Sequence, residues 1–217
     1  MSMYGSHAEE SGMSRSAADG RRRDGAKPAE GGTARERILE TAHELFYREG
    51  IRAIGVDTIV ARSGVAKMSL YRSFASKDEL VAAFLEARNE RYWAWWDGIM
   101  ARHPGNPRAQ LTALFAALAK RVASPDYRGC PFLNAATEFP SPDHPGRRVA
   151  LANKRELRRR LRGLAEGIGA RQPALLADQL LLLMEGAYSM GNTLGQEGPP
   201  QALPAAAAAL IEAQLPG

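Results

Sequence analysis

The stretch Val56–Phe74, VDTIVARSGVAKMSLYRSF, constrains the fold more than any other part of the chain. Ile59 and Val60 give its first half an apolar side, and Leu70, Tyr71 and Phe74 recur at helical spacing in its second half. Between them Ser63-Gly64-Val65 supplies a tight turn whose glycine is free to take a positive φ. Two short helices joined in this way form a helix-turn-helix pattern. The second helix opens with Lys67 and Ser69 and carries Tyr71 and Arg72, side chains that reach phosphates and base edges when such a helix lies in a major groove.

The residues on either side of the motif read as helices too. Thr33 and Glu36 have capping-box spacing, Ile38, Leu39, Ala42, Leu45 and Phe46 form one apolar stripe, and Gly50 stops that helix. Gly55 stands at the N-cap of the next helix without a hydroxyl to offer. A second capping box, Ser76 and Glu79, begins a long helix through Leu80, Val81, Phe84, Leu85, Tyr92, Trp93, Trp96 and Ile99. Trp93, Trp95 and Trp96 crowd its far end and cannot all face one way, so at least one is expected to be partly exposed or to line a cavity.

The run from Thr33 to Leu80, TARERILETAHELFYREGIRAIGVDTIVARSGVAKMSLYRSFASKDEL, resembles the N-terminal domain of the TetR family of transcriptional regulators. The resemblance rests on an ordered set: a capped helix ending in Phe-x-x-x-Gly, the Ile59 helix, the Ser63-Gly64-Val65 turn, and Leu70-Tyr71-x-x-Phe74-x-x-Lys77. Ala66 departs from the Ser or Thr that usually caps the recognition helix, and Met68 from the small residue common there. The resemblance implies that Lys67, Ser69, Tyr71 and Arg72 face DNA and that Lys77, at a helix N-terminus, holds a phosphate, with Thr58 a further phosphate contact. A core role for Tyr71 and a solvated surface role for Lys67 and Arg72 are the alternatives, while Leu70 and Phe74 are assigned to the core.

Composition sets the remaining bounds. The chain has 217 residues, 45% of them hydrophobic, enough for a small head and a larger companion domain. It has no apolar run long enough to span a bilayer and no apolar leader segment. Its single cysteine, Cys130, excludes an intrachain disulfide, and with the missing leader predicts a cytoplasmic protein. His7, His43, His103 and His144 show no metal-ligand spacing, so neither a metal nor another cofactor is expected. The formal charge is +5, which suggests a polyanionic partner, but its distribution points away from the motif. Residues 33–78 hold 8 basic and 6 acidic residues, a balance of +2, whereas 147–171 hold 9 and 2, a balance of +7. That basic segment reads either as a rival DNA-binding surface or as a solvated helix face carrying Arg155, Arg158, Arg159, Arg160 and Arg162 outward.

These signals divide the chain into a disordered arm over 1–32, a helix-turn-helix domain over 33–78 and a helical body over 79–217, an all-α protein, and the resemblance implies DNA binding for the second and ligand binding and dimerisation for the third. The arm, with Arg21-Arg22-Arg23, reads as an unstructured leader or as a basic segment lying along DNA. In the body, Asn106-Pro107 opens one helix and GCPFLNAATEF, Gly129–Phe139, places a thiol, an amide, a hydroxyl and a carboxylate in an apolar setting. Asn134, Thr137 and Glu138 must therefore find partners in the protein, in water or in a ligand. Ala174–Leu194 and an alanine-rich helix near 203–215 are apolar enough to need covering on several sides, and Gly186, Gly191 and Gly195 permit close helix approach.

By resemblance, the last two long helices form a four-helix bundle with a second copy, and two heads about 34 to 36 Å apart address a near-palindromic operator. The resemblance also implies a small-molecule pocket for an apolar or aromatic effector, for which Trp96, Phe115, Phe132, Asn134, Met184, Tyr188 and Asn192 are the candidate lining residues. The function implied is a ligand-responsive homodimeric repressor released from double-stranded DNA by its effector. The alternatives are a thiol-based redox or electrophile sensor using Cys130, and an activator. Catalysis would have to rest on Cys130 and His144, with no third group to orient them, so no enzyme activity is expected.

Overall fold

A computed structural model of the chain describes residues 32–215; apart from Gly32, the arm expected over 1–32 lies outside the described residues. Within them every regular element is a helix. The first, α1 (Ala34–Glu49), is capped reciprocally: the Thr33 hydroxyl accepts from the Glu36 N–H at 3.2 Å, and the Thr33 N–H donates to the Glu36 carboxylate at 2.8 Å. This satisfies two donors that a helix start leaves open. Helices α2 (Val56–Ser63) and α3 (Lys67–Ser73) follow, separated by Gly64 at φ 62°, a left-handed conformation that a side chain would strain. Arg37 Nη2 donates to the Ser63 carbonyl at 2.6 Å and so braces the turn from α1. Ile38, Ala42, Phe46, Ile59, Leu70 and Phe74 are all buried where the three helices meet.

Helix α4 (Lys77–Met100) is the long connection, about 36 Å at 1.5 Å per residue. Ser76 caps it by accepting from the Glu79 N–H at 3.1 Å. The return bond falls one residue earlier than the capping-box spacing predicts, because the Glu79 carboxylate accepts from the Ala75 N–H at 2.9 Å. The first half of α4 packs on α1, where Phe84 meets Phe46 and His43 edge-on at 5.6 and 5.0 Å. At its far end Trp96 is buried, while Trp93 and Trp95 are partly exposed beneath the guanidinium groups of Arg160 and Arg121, at 4.2 and 5.1 Å.

The body continues with α5 (Pro107–Val122), α6 (Pro131–Glu138), α7 (Pro145–Gly167), α8 (Pro173–Leu194) and α9 (Leu203–Gln214), with two short 3-10 turns before α9. Asn106 caps α5 through the Ala109 N–H at 3.0 Å. Helix α7 lies between α4, α6 and α8. Four of its arginines are paired rather than free: Arg158 with Asp178, Arg159 with Glu156, Arg160 with Glu156 and Asp97, Arg162 with Glu166. Hydrogen bonds from Arg159 and Arg160 pull the Glu156 carboxyl down to about 2. Of the two readings of the basic segment, the geometry matches the solvated face.

The three glycines of the α8 region differ in use. A Cβ on Gly191 would lie 2.8 Å from Val122 Cβ and 3.0 Å from its carbonyl, so α8 and α5 touch there because no side chain intervenes. Gly186 has no such neighbour within the chain, and Gly195, at φ 58°, ends the helix. Among the described residues no helix is long and apolar enough to cross a membrane.

Candidate nucleic-acid interface and effector cavity

The short α3 turns one side inward and offers the rest to solvent. Leu70 is fully buried, whereas Lys67, Met68, Tyr71 and Arg72 are exposed and Ser69 is half-buried. Tyr71, for which core and surface roles were both open, is 43% exposed and belongs to the outer face. Ala66 occupies the N-cap with no side-chain bond, and Met68, 71% exposed, is the most apolar element of the outer face. Thr58 is exposed in the first turn of α2. Lys77 is the first residue of α4, half-buried with its ammonium 5.9 Å from the Phe46 ring; burial lowers its pKa, against the fields of Glu138 and Asp78.

Lys67 and Arg72 are held by neighbours. Lys67 Nζ lies 2.7 Å from Asp57 Oδ1, and this hydrogen bond and charge hold the ammonium pKa above its ordinary value. Arg72 Nη2 donates to the Ser69 hydroxyl at 3.2 Å, and the Ser73 hydroxyl donates to the Ser69 carbonyl at 2.9 Å. Asp57 is the residue that sequence reasoning missed. An acid in the first turn of a helix is adequately explained by the helix dipole, and its pairing across the turn depends on the crossing of α2 and α3.

Within the body, Phe132 and Tyr188 line a small cavity of about 40 Å³ together with Tyr92, Tyr127, Cys130, Arg88, Arg91, Arg121 and Lys154. Phe132 and Lys154 also line a larger, partly open cavity of about 400 Å³ under α6, beside Leu133, Ala150, Leu151 and Leu181. Trp96, Phe115 and Met184 are closed into the core and line neither cavity, and Asn192 is exposed. Asn134 also lines neither; its amide donates to the Arg128 carbonyl at 3.1 Å. The Tyr188 hydroxyl donates to that of Tyr92 at 3.4 Å, and burial raises the pKa of both phenols.

Lys154 is the polar centre of the wall between the cavities. Its ammonium lies 2.6 Å from Glu185 and 3.5 Å from the Cys130 sulfur. Burial works against its charge, but Cys130 and Glu185 outweigh that and raise its pKa. His144, the imidazole that catalysis would have paired with Cys130, is occupied elsewhere. It stacks on Phe139 at 3.8 Å, accepts from the Gly146 N–H and faces Asp78 at 3.3 Å.

Helix α6 and its flanks also hold the head. Glu138, the last residue of α6, accepts from the Ile51 and Arg52 N–H groups at 3.2 and 2.7 Å, which lie in the turn between α1 and α2. The Tyr47 hydroxyl, on α1, donates to the Gly129 carbonyl at 3.3 Å and accepts from the Arg128 N–H at 3.0 Å. Asp78 on α4 meets His144 at the cap of α7. Thus the segment 128–144 supplies both part of the wall of the small cavity, Gly129 to Phe132, and polar ties to the head.

The family model described as bacterial regulatory proteins, tetR family, matches residues 38–84. A TetR-family transcriptional regulator from Streptomyces coelicolor shares the whole fold, with a TM-score of 0.79 at 30% identity over 83% of this chain and 95% of that one. The chain belongs to the TetR family. A second TetR-type regulator, from Streptomyces avermitilis, gives a TM-score of 0.72 at 33% identity over 84% of this chain and 98% of its own. The HTH-type transcriptional regulator YjdC of Escherichia coli is 26% identical over 155 residues, 71% of this chain and 81% of that one. As a TetR-family transcriptional regulator, the chain has α2 and α3 as its helix-turn-helix and a helical body behind them.

Proposed function

We propose that this TetR-family regulator is a homodimeric repressor that binds a near-palindromic operator and is released when an apolar or aromatic small molecule enters its body. Residues 33–78 act as the DNA-binding domain and 79–217 as the ligand-binding and dimerisation domain, working in the cytoplasm without a cofactor and without catalysis. Lys67, Ser69, Tyr71 and Arg72 meet the major groove, and Thr58 and Lys77 meet phosphates. Lys67 must exchange Asp57 for a phosphate or base edge as it docks. The observation that carries the regulatory reading is the double duty of α6: Phe132 lines both cavities while Glu138 holds the turn between α1 and α2. A ligand that displaces α6 from its cavity side then strains the ties to the head, and a differential affinity of about 1 to 3 kcal/mol between the two head positions suffices for regulation.

The test is a mobility-shift titration of the full chain on DNA flanking its own gene. Replacing Lys67, Tyr71 and Lys77 together with alanine is expected to abolish the shifted band at physiological salt; an unchanged affinity refutes the DNA-binding assignment. Transcription in vitro with and without the protein separates a repressor from an activator. A second reading, a thiol sensor, is favoured by the Lys154 ammonium, which donates to the Cys130 sulfur at 3.5 Å. Alkylation of Cys130 with iodoacetamide releases the operator if that reading holds and leaves it bound if the trigger is reversible ligand binding.

A further inference from the structure

The small cavity carries a charge that no carboxylate among the described residues balances. Arg88 and Arg91 project from α4 and Arg121 from α5 onto its wall, and among the described residues no carboxylate pairs with any of the three. The nearby acid, Glu185, is already engaged by Lys154 at 2.6 Å. Arg88 is packed over the rings of Tyr47 and Phe84, at 4.1 and 5.7 Å, and its Nε is buried without a hydrogen-bond partner. Keeping a buried guanidinium donor unsatisfied beside two like charges is costly unless something fills the position for part of the protein's working cycle. A guanidinium cluster is suited to a planar anion with two oxygens. Phe132 and Lys154 separate this cationic chamber from the 400 Å³ cavity, whose other walls include Leu133, Leu151 and Leu181.

We propose that the effector is a hydrophobic carboxylic acid, its carboxylate held by Arg88, Arg91 and Arg121 and its apolar part passing Phe132 into the larger cavity. This rests on the reading that the body binds an effector, and it narrows the chemical class. Neutral isosteres of the same shape lose the guanidinium contacts and keep only the apolar ones. Acetate, which has the charge without the apolar part, gains too little to bind measurably.

The experiment is calorimetric titration of the full chain with 2-naphthoate and dodecanoate, each beside its carboxamide, and with acetate. At least one acid is expected to bind about tenfold or more tightly than its amide. Arg121→Gln should bring acid and amide within about twofold, and Arg121→Lys should retain part of the preference. Arg121 is exposed, and Arg91→Gln on a different helix provides a second variant; thermal melts report whether each folds. The proposal is overturned if no acid outbinds its amide, including the case in which neither binds, or if both glutamine variants keep the preference. A mobility shift with the same compounds separates the two readings. An acid that binds without releasing DNA removes the regulatory role and leaves the anion site standing, whereas release by amides and acids alike removes the anion site alone.

Discussion

His43 shows how much chemistry one side chain can hide in the head. Both of its ring nitrogens are buried without hydrogen-bond partners, and burial first, then the fields of Arg91 and Arg88, lower its pKa to about 4. In the unfolded chain the imidazole protonates near its ordinary value of about 6.5, so between these limits the unfolded state binds more protons and stability rises with pH. The stabilisation is complete above about pH 6.5 and is lost as the pH falls toward 4, about 3 kcal/mol in all. Urea unfolding midpoints at pH 7.5 and 4.5 measure it; His43→Leu should flatten this limb, and an unaltered acid limb in that variant would rule the assignment out. Nothing in the sequence distinguished His43 from the other histidines, because its burial is created by Phe84, which arrives from another helix. Asp57 makes a matching case on the surface. Removing its charge frees Lys67 and takes a carboxylate away from the proposed DNA-facing surface, so Asp57→Asn is expected to tighten operator binding about threefold or more, while Lys67→Ala weakens it and lowers the salt slope by about 1. Mobility shifts across a salt series check both.

At the scale of elements, the sequence was most informative where order along the chain decides the structure. The cap of α1, the glycine turn, the cap and proline of α5, and the apolar α8 all depend on residues a few positions apart, and each stands where its spacing indicates. The segment 129–139 was legible only in part. Its polar residues had to find partners; Thr137 braces the Leu133 carbonyl four residues back, as a local reading anticipates, but Glu138 crosses to Ile51 and Arg52. No spacing rule reports a bond between residues that far apart, since it depends on how the body places the end of α6 beside the turn that follows α1. Its weight is testable. Glu138→Ala leaves two backbone donors without their charged acceptor and should cost about 1 to 3 kcal/mol of stability. Glu138→Gln, which retains one good acceptor, should cost less. Thermal unfolding of the DNA-free protein orders the three, and equal melting of all of them would mean that the tie to the head is not made in solution.

For the molecule as a whole, the question is what covers α8. Leu182 is 73% exposed, and Leu175, Met190 and Leu194 are exposed on the same helix. Leu182 and Met190, with Gly186 and α9, border an apolar groove of about 530 Å³. A single chain rarely leaves such a stripe in water, and Leu175 and Leu182 are one heptad apart, the repeat by which helices pair. The sequence revealed the apolar excess of this region but not which side of α8 would remain uncovered, because that depends on where α5, α7 and α9 settle within the chain. A twofold pairing of this face is isologous, so one substitution enters the interface twice. Leu182→Glu therefore places two like charges in an apolar seam and is expected to convert a dimer to a monomer by sedimentation at micromolar concentration. The same variant separates two contributions to operator binding. If two heads are joined through α8 and α9, losing the joint forfeits their mutual effective concentration, and affinity for a full palindrome should fall by about 100-fold or more, toward that of a half-site. Should the variant remain dimeric and bind the full site as before, the heads are joined through some other surface.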